Sequence, residues 1–128
     1  MSGGRLEAAG LREAVRYEDR IPFLTAGEKH HDLALEEVGA EAPGLAPNSV
    51  GLVHLAFKAG DSLKELRGAR DRLRAAGYAV TKAKDHAVSQ SVYLDDPDGI
   101  AIELYVDADP RVWRDNPAAV ATGTPLAL

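Results

Sequence analysis

The chain has 128 residues and a mass of 13.6 kDa, the size of one ordinary domain, able to bury about two thirds of the surface its unfolded chain exposes. It contains no cysteine, which excludes disulfides, thiolate metal sites, iron–sulfur clusters and cysteine nucleophiles and leaves His, Asp, Glu, Asn or water to hold any metal. Twenty Asp and Glu against fifteen Lys and Arg give a formal charge of -5, which repels phosphate backbones and argues against nucleic-acid or anionic-membrane partners.

The opening MSGGRLEAAGL lacks the basic-then-apolar order of a signal peptide, and no apolar run reaches the roughly 20 residues of a spanning helix. A soluble, cytoplasmic protein is therefore expected. Leu6, Ala8 and Ala9 form a short apolar-periodic stretch stopped by Gly10, as at the end of a helix. Residues 11–17 (LREAVRY) fit a strand or a further helical turn. The polar YEDR then precedes a second short strand, Ile21–Thr25, where Pro22 predicts an edge position because it cannot donate to a ladder. From His31 the run HDLALEEV alternates with period two, a strand with His31, Leu33, Leu35 and Glu37 on one face. Residues 39–50 contain two glycines and two prolines and read as a linker.

The second half is more regular. GLVHLAFKA (51–59) is a strand, and Asp61 or Ser62 followed by Glu65 caps an amphipathic helix over LKELRGARDRLRAAG. Leu63, Leu66, Ala69, Leu73 and Ala76 form its apolar face, the arginines face solvent, and Gly77 ends it. The strand YAVTKA (78–83) follows, then SQSVYL (89–94), the turn DDPDG and IAIELYV (100–106), a hairpin. The tail, residues 107–128, carries Pro110, Pro117, Pro125 and the single tryptophan, Trp113. It is expected to drape over the sheet as short turns without adding a core element. The predicted fold is α+β: one domain of paired βαβββ modules forming a curved mixed sheet around a concave site. Residues 5–38 are a truncated first module and residues 51–106 a complete second one.

Four histidines are present, His30, His31, His54 and His86. His54 sits mid-strand on the face of Leu52 and Ala56, either a satisfied core residue or a ligand. Glu103 lies in IAIELYV, where a buried carboxylate costs several kcal/mol unless paired, protonated or metal-bound; a rim position is the alternative. Opposed on strands of one sheet, the two could flank a single cation, although a non-heme Fe(II) centre commonly uses two histidines and one carboxylate. His31 is the first candidate for a third ligand, or a base beside the metal. His86 is a loop histidine or a pocket group, and Tyr93 a core-edge aromatic or a phenol donating into a pocket. DDPDG is a turn rather than a calcium loop, since the further oxygen ligands of an EF-hand are missing. Phosphate-cradling glycine loops, GxSxG and HExxH are all absent.

GLVHLAF, LKELRGARDRLRAAG and especially HAVSQSVYLDDPDGIAIELYV resemble the vicinal oxygen chelate superfamily, which includes glyoxalase I, bleomycin-resistance proteins and type I extradiol dioxygenases. The order His86, Tyr93, Asp96-Pro97, Gly99 and Glu103 is similar to the extradiol signature. The resemblance implies an extradiol ring-cleaving dioxygenase acting on a small aromatic diol with O2 and Fe(II), or Mn(II). By that likeness His54 and Glu103 are metal ligands, His31 the acid–base histidine, Tyr93 the pocket tyrosine that helps hold the catecholic substrate, and His86 a pocket-lining residue. Leu33 stands where glyoxalase I places a glutamate ligand, which favours the dioxygenase branch; Val88 stands where biphenyl-type members often have asparagine. The family's other iron-binding histidine comes from a first strand that this chain is expected to lack, which also predicts an exposed sheet edge and a homodimer or higher homo-oligomer. A non-enzymatic ligand-binding protein of the bleomycin-resistance type is the alternative.

Overall fold

The computed structural model describes residues 3–128. Helix α1 (Gly3–Ala8) stops at Gly10, whose φ of 111° only glycine adopts without strain, and Leu11 N–H closes the end on the Leu6 carbonyl at 3.0 Å. The ambiguity of LREAVRY is resolved in favour of a strand: β1 (Arg12–Tyr17), β2 (Ile21–Thr25) and the two-residue β3 (Leu33–Ala34) form an antiparallel sheet in that order. Glu18 and Asp19, both left-handed, make the β1–β2 turn.

Two expectations for this sheet are corrected. Pro22 lies in the central strand, not an edge strand. Its carbonyl accepts from Leu35 N–H at 3.1 Å, so its ring nitrogen points the same way and it makes only the accepting half of a pair with Leu35, one step beyond the Phe23–Ala34 and Leu24–Leu33 pairs, where β3 ends and the missing donor interrupts the ladder least. The period-two run from His31 yields only Leu33–Ala34 as strand. Asp32 turns the chain instead: its Oδ2 accepts from Ala26 N–H (3.0 Å) and the Thr25 hydroxyl (2.9 Å), and these two bonds hold its carboxyl below the usual carboxylate range.

The second sheet comprises β4 (His54–Gly60), β5 (Lys82–Asp85), β6 (Ser89–Asp95), β7 (Ala101–Asp107) and β8 (Thr124–Pro125), in the order β4-β7-β6-β5-β8. β4 runs parallel to β7 and the other pairs are antiparallel. Between β4 and β5 lies α2 (Leu63–Ala75). Ser62 caps it by accepting from Glu65 N–H at 3.3 Å, while Glu65 Oε2 accepts from Asp61 N–H at 2.7 Å, a reciprocal arrangement close to a capping box. The helix buries Leu66, Ala69 and Leu73 against the sheet face formed by Val92, Leu94, Ile102, Leu104 and Val106. Leu6, Leu11 and Leu24 belong to the same apolar cluster, so α1 and the first sheet share one core with α2 and the second. The architecture is a mixed α+β fold with two open sheets.

The strand expected over YAVTKA begins later, at Lys82, because Tyr78 N–H is taken by the Leu73 carbonyl at the end of α2 (2.9 Å). The tail departs further from expectation. Asp109 caps α3 (Pro110–Asp115) by accepting from Arg111 N–H at 2.9 Å, with Pro110 at the first helical position. A 3-10 turn (Pro117–Ala121) follows, and β8 adds an edge strand to the sheet against β5. No helix among the described residues is long and apolar enough to cross a membrane.

Leu104 is fully buried between α2 and the sheet, so Leu104→Ala is expected to cost about 2–5 kcal/mol. Ser62→Ala, which removes only a cap, is expected to cost about 1 kcal/mol. Urea unfolding midpoints with unchanged m-values check both.

Candidate functional site

Strand alternation gives the second sheet two chemically different faces. Residues 102, 104 and 106 of β7 face α2, so Glu103 and Tyr105 project from the opposite face. Register then sets Ala56 of β4, Glu103 of β7, Tyr93 of β6 and Lys82 of β5 in one row across the sheet, with His54 and Ser91 one step along on the same face.

Glu103 is only 8% exposed, and each of its oxygens is engaged. Oε1 accepts from the Ser91 hydroxyl at 2.5 Å and the Tyr93 hydroxyl at 2.9 Å, while Oε2 lies 3.2 Å from His54 Nε2. Charge-assisted bonds of this kind offset the cost of removing a carboxylate from water. The phenol is affected in turn: burial, then the bond to the Glu103 carboxylate, pushes the Tyr93 hydroxyl up to about 12, so it stays a donor at neutral pH. His86 backs it from behind, with Nε2 at 2.5 Å from the Tyr93 oxygen and Nδ1–H donating to the Thr122 carbonyl. A carbonyl only accepts, so Nδ1 carries a proton and Nε2 is the nitrogen directed at the phenol. The result is a polar line from the tail through His86 and Tyr93 to Glu103 and His54, in which the single phenol proton serves either Glu103 or His86 Nε2 at one time.

In front of this line opens a cavity of about 470 Å³ lined by His54, Glu103, Tyr105, Val88, Trp113 and Val120, among others. A second cavity of about 360 Å³ also borders His54 and includes Tyr93 and Lys82, whose ammonium sits 4.9 Å from the Tyr93 ring centre. Four of the five residues singled out from sequence, His54, Glu103, Tyr93 and His86, thus come together. His31 stands apart in the connection between β2 and β3, exposed, with its ring edge-on to Phe23 at 5.0 Å and its Nδ1 2.7 Å from that of His30. It borders none of the cavities described. DDPDG is a turn, with Asp96 Oδ1 accepting from the N–H groups of Asp98 and Ile100, both at 2.8 Å.

Three further participants escaped the sequence reading. Ser91 was visible in principle, since alternation puts it on the face of Tyr93 beside a strand carrying a carboxylate. Trp113 and Thr122 were not, because their places depend on how the tail folds back.

An imidazole nitrogen and a carboxylate oxygen side by side at the cavity form a donor set suited to a divalent cation that accepts N and O ligands, such as Fe(II) or Mn(II). Among the described residues no group of three or more His, Asp or Glu side chains converges, so His54 and Glu103 fit such an ion as two of its protein ligands. Without metal, the Tyr93 phenol is expected to ionise only well above the ordinary tyrosine value of about 10. Because its folded value lies above the unfolded value of about 10, the native state holds the proton longer, and stability falls as pH rises from about 10 toward 12. Glu103→Gln removes the negative neighbour and shifts this titration to lower pH, observable as tyrosinate absorbance.

Residues 8–104 match the Glyoxalase/Bleomycin resistance protein/Dioxygenase superfamily model. The chain is 42% identical over 103 residues to "Catechol-2,3-dioxygenase" of Bacillus subtilis (strain 168), covering 80% of this chain and 35% of that protein. It is 38% identical over 95 residues to "Biphenyl-2,3-diol 1,2-dioxygenase 3" of Rhodococcus globerulus, covering 73% of this chain and 50% of that one. It therefore spans between a third and a half of the length of these curated relatives. Among solved structures, the lactoylglutathione lyase of Agrobacterium tumefaciens superposes with a TM-score of 0.56 at 23% identity, covering 84% of this chain and 81% of that one. The fosfomycin resistance protein FosX of Mesorhizobium loti gives 0.57 at 23%, covering 83% and 80%. At these identities the two structures speak for the fold alone. With a family model spanning most of its length and relatives at this identity, the chain belongs to the glyoxalase/bleomycin resistance protein/dioxygenase superfamily.

Proposed function

We propose that the protein is an extradiol-dioxygenase-like enzyme that opens the ring of a small aromatic diol with O2 and Fe(II), Mn(II) being the alternative ion. The observation that carries this reading is the geometry of Glu103, held on one oxygen by Ser91 and Tyr93 and turned on the other toward His54 at the cavity floor. The names of the dioxygenase relatives support the substrate class.

When bound, the divalent ion supplies adjacent open positions where the diol oxygens and O2 can meet. The remaining tasks fall to the chain. Ser91 and Tyr93 fix the carboxylate so that one oxygen remains directed at the ion, the outer support that ligating carboxylates require. His86, tied to the Thr122 carbonyl, orients the Tyr93 phenol from behind. Val88, Trp113 and Val120 give the ring side of the cavity an apolar lining. The acid–base role of His31 rests on family likeness, and a further metal ligand has to come from outside the His54–Glu103 pair. A homodimer is part of the same proposal: β4 has an unpaired outer edge, the kind of surface that strand pairing covers.

A second reading, a metal-independent binding protein of the bleomycin-resistance type, is favoured by the two-donor site with its large apolar wall. Anaerobic Fe(II) loading with elemental analysis, followed by catechol-dependent oxygen uptake, separates the two. The dioxygenase reading expects retained iron, with His54→Ala and Glu103→Ala each lowering oxygen uptake by more than about 100-fold, beyond the roughly 10–100-fold typical of outer-shell losses. A protein that stays metal-free after reconstitution, or both variants binding the aromatic ligand as wild type does, overturns it.

A further inference from the structure

Helix α3 buries none of its residues, yet it carries the chain's only tryptophan. Core packing does not account for Trp113, which is 46% exposed, nor for Val120 of the following 3-10 turn, which is 61% exposed. Both line the cavity whose floor is His54 and Glu103. Apolar surface left open and adjoining polar groups marks a binding surface more often than a defect of packing.

The segment bearing these residues is anchored at both ends. Ala108 N–H donates to the Val88 carbonyl at 2.9 Å before α3 begins, Asp109 caps α3, and beyond the 3-10 turn the Thr122 carbonyl accepts from His86 before β8 pairs with β5. Gly123 lies so close to His86 that a Cβ there would meet the imidazole at 3.1 Å. The tail is thus positioned by the same histidine that supports Tyr93. A wall fixed before ligand arrives loses little entropy on binding, and an indole offers a flat, rigid surface suited to another ring.

We infer that Trp113 is the ring-packing wall of the site: it stacks on or edges against the aromatic ring of the ligand while the ring's oxygens face His54 and Glu103. This rests on the dioxygenase reading for the orientation of the diol, and adds that affinity for the ring comes from the tail rather than from the sheet.

The test is anaerobic titration of the Fe(II)-loaded full chain with nitrocatechol, followed by two signals. The visible band of the ligand reports chelation independently of Trp113, and quenching of the sole tryptophan reports proximity to it. The expected result is quenching that tracks the band shift, with Trp113→Ala weakening binding about tenfold and Trp113→Phe staying within about threefold of wild type, as loss and retention of an aromatic contact require. Unchanged affinity in Trp113→Ala with a normal band shift overturns the inference and leaves the dioxygenase reading standing. Absence of any band shift in wild type overturns both. Should Trp113→Ala alter far-UV dichroism, Trp113→Phe decides, because a tenfold loss there contradicts a role that any flat ring fulfils.

Discussion

A carboxylate in the middle of a strand that is otherwise Ile, Leu and Val needs partners, and those partners dictate much of what surrounds Glu103. It lies on β7, flanked on either side in sequence by Ile102 and Leu104, which are buried under α2. Its own side chain emerges on the far face, where Ser91 and Tyr93 from the neighbouring strand and His54 from the other neighbour surround it. Each of these residues sits where register with Glu103 places it. A slip of one residue between β6 and β7 would turn Tyr93 and Ser91 into the core and leave the carboxylate buried and unsatisfied. The site and the sheet register are therefore one constraint.

The core on the other face makes that constraint affordable. Leu66, Ala69 and Leu73 of α2 pack on the apolar side, and the cluster continues through Leu94 to Leu6, Leu11 and Leu24. A helix covers one face only, which frees the other for polar groups and a cavity. The parallel pairing of β4 with β7 brings His54 beside Glu103, and it is the crossover through α2 that permits two strands distant in sequence to run side by side in the same direction.

The tail links the polar line to the apolar wall. His86 contacts both Tyr93 and the Thr122 carbonyl, so a displacement of the 3-10 turn that bears Val120 also disturbs the phenol that supports Glu103. Residues distant in sequence act on one small volume, with the sheet giving precision and the tail giving shape. His31, by contrast, is held in the connection between β2 and β3 by the turn that Asp32 closes and faces Phe23.

Much of this was legible from residues alone. Period-two alternation in HLAF, SVYL and IAIELYV assigned the strands, a serine followed by glutamate three residues later assigned the start of α2, and a glutamate within an apolar strand marked a carboxylate that needed either partners or a rim position. These are local signals, carried by side chains within a few residues of one another. What only the tertiary structure decided depends on which strands pair and on what covers them. HDLALEEV alternates as well as any strand, yet it finds a partner only at Leu33 and Ala34, because alternation makes a strand only where a neighbour pairs with it: the turn that Asp32 closes delays its start, and at Leu35 it meets Pro22, which has no donor to return. Pro22 sits in a central strand because β3 ends one residue short of it, so that only one half of one pair, with Leu35, is lost. The pairing of β8 with β5 and the consequent positions of Thr122 and Trp113 leave no local trace, because contacts between residues far apart in sequence are selected by packing and loop closure rather than by propensity.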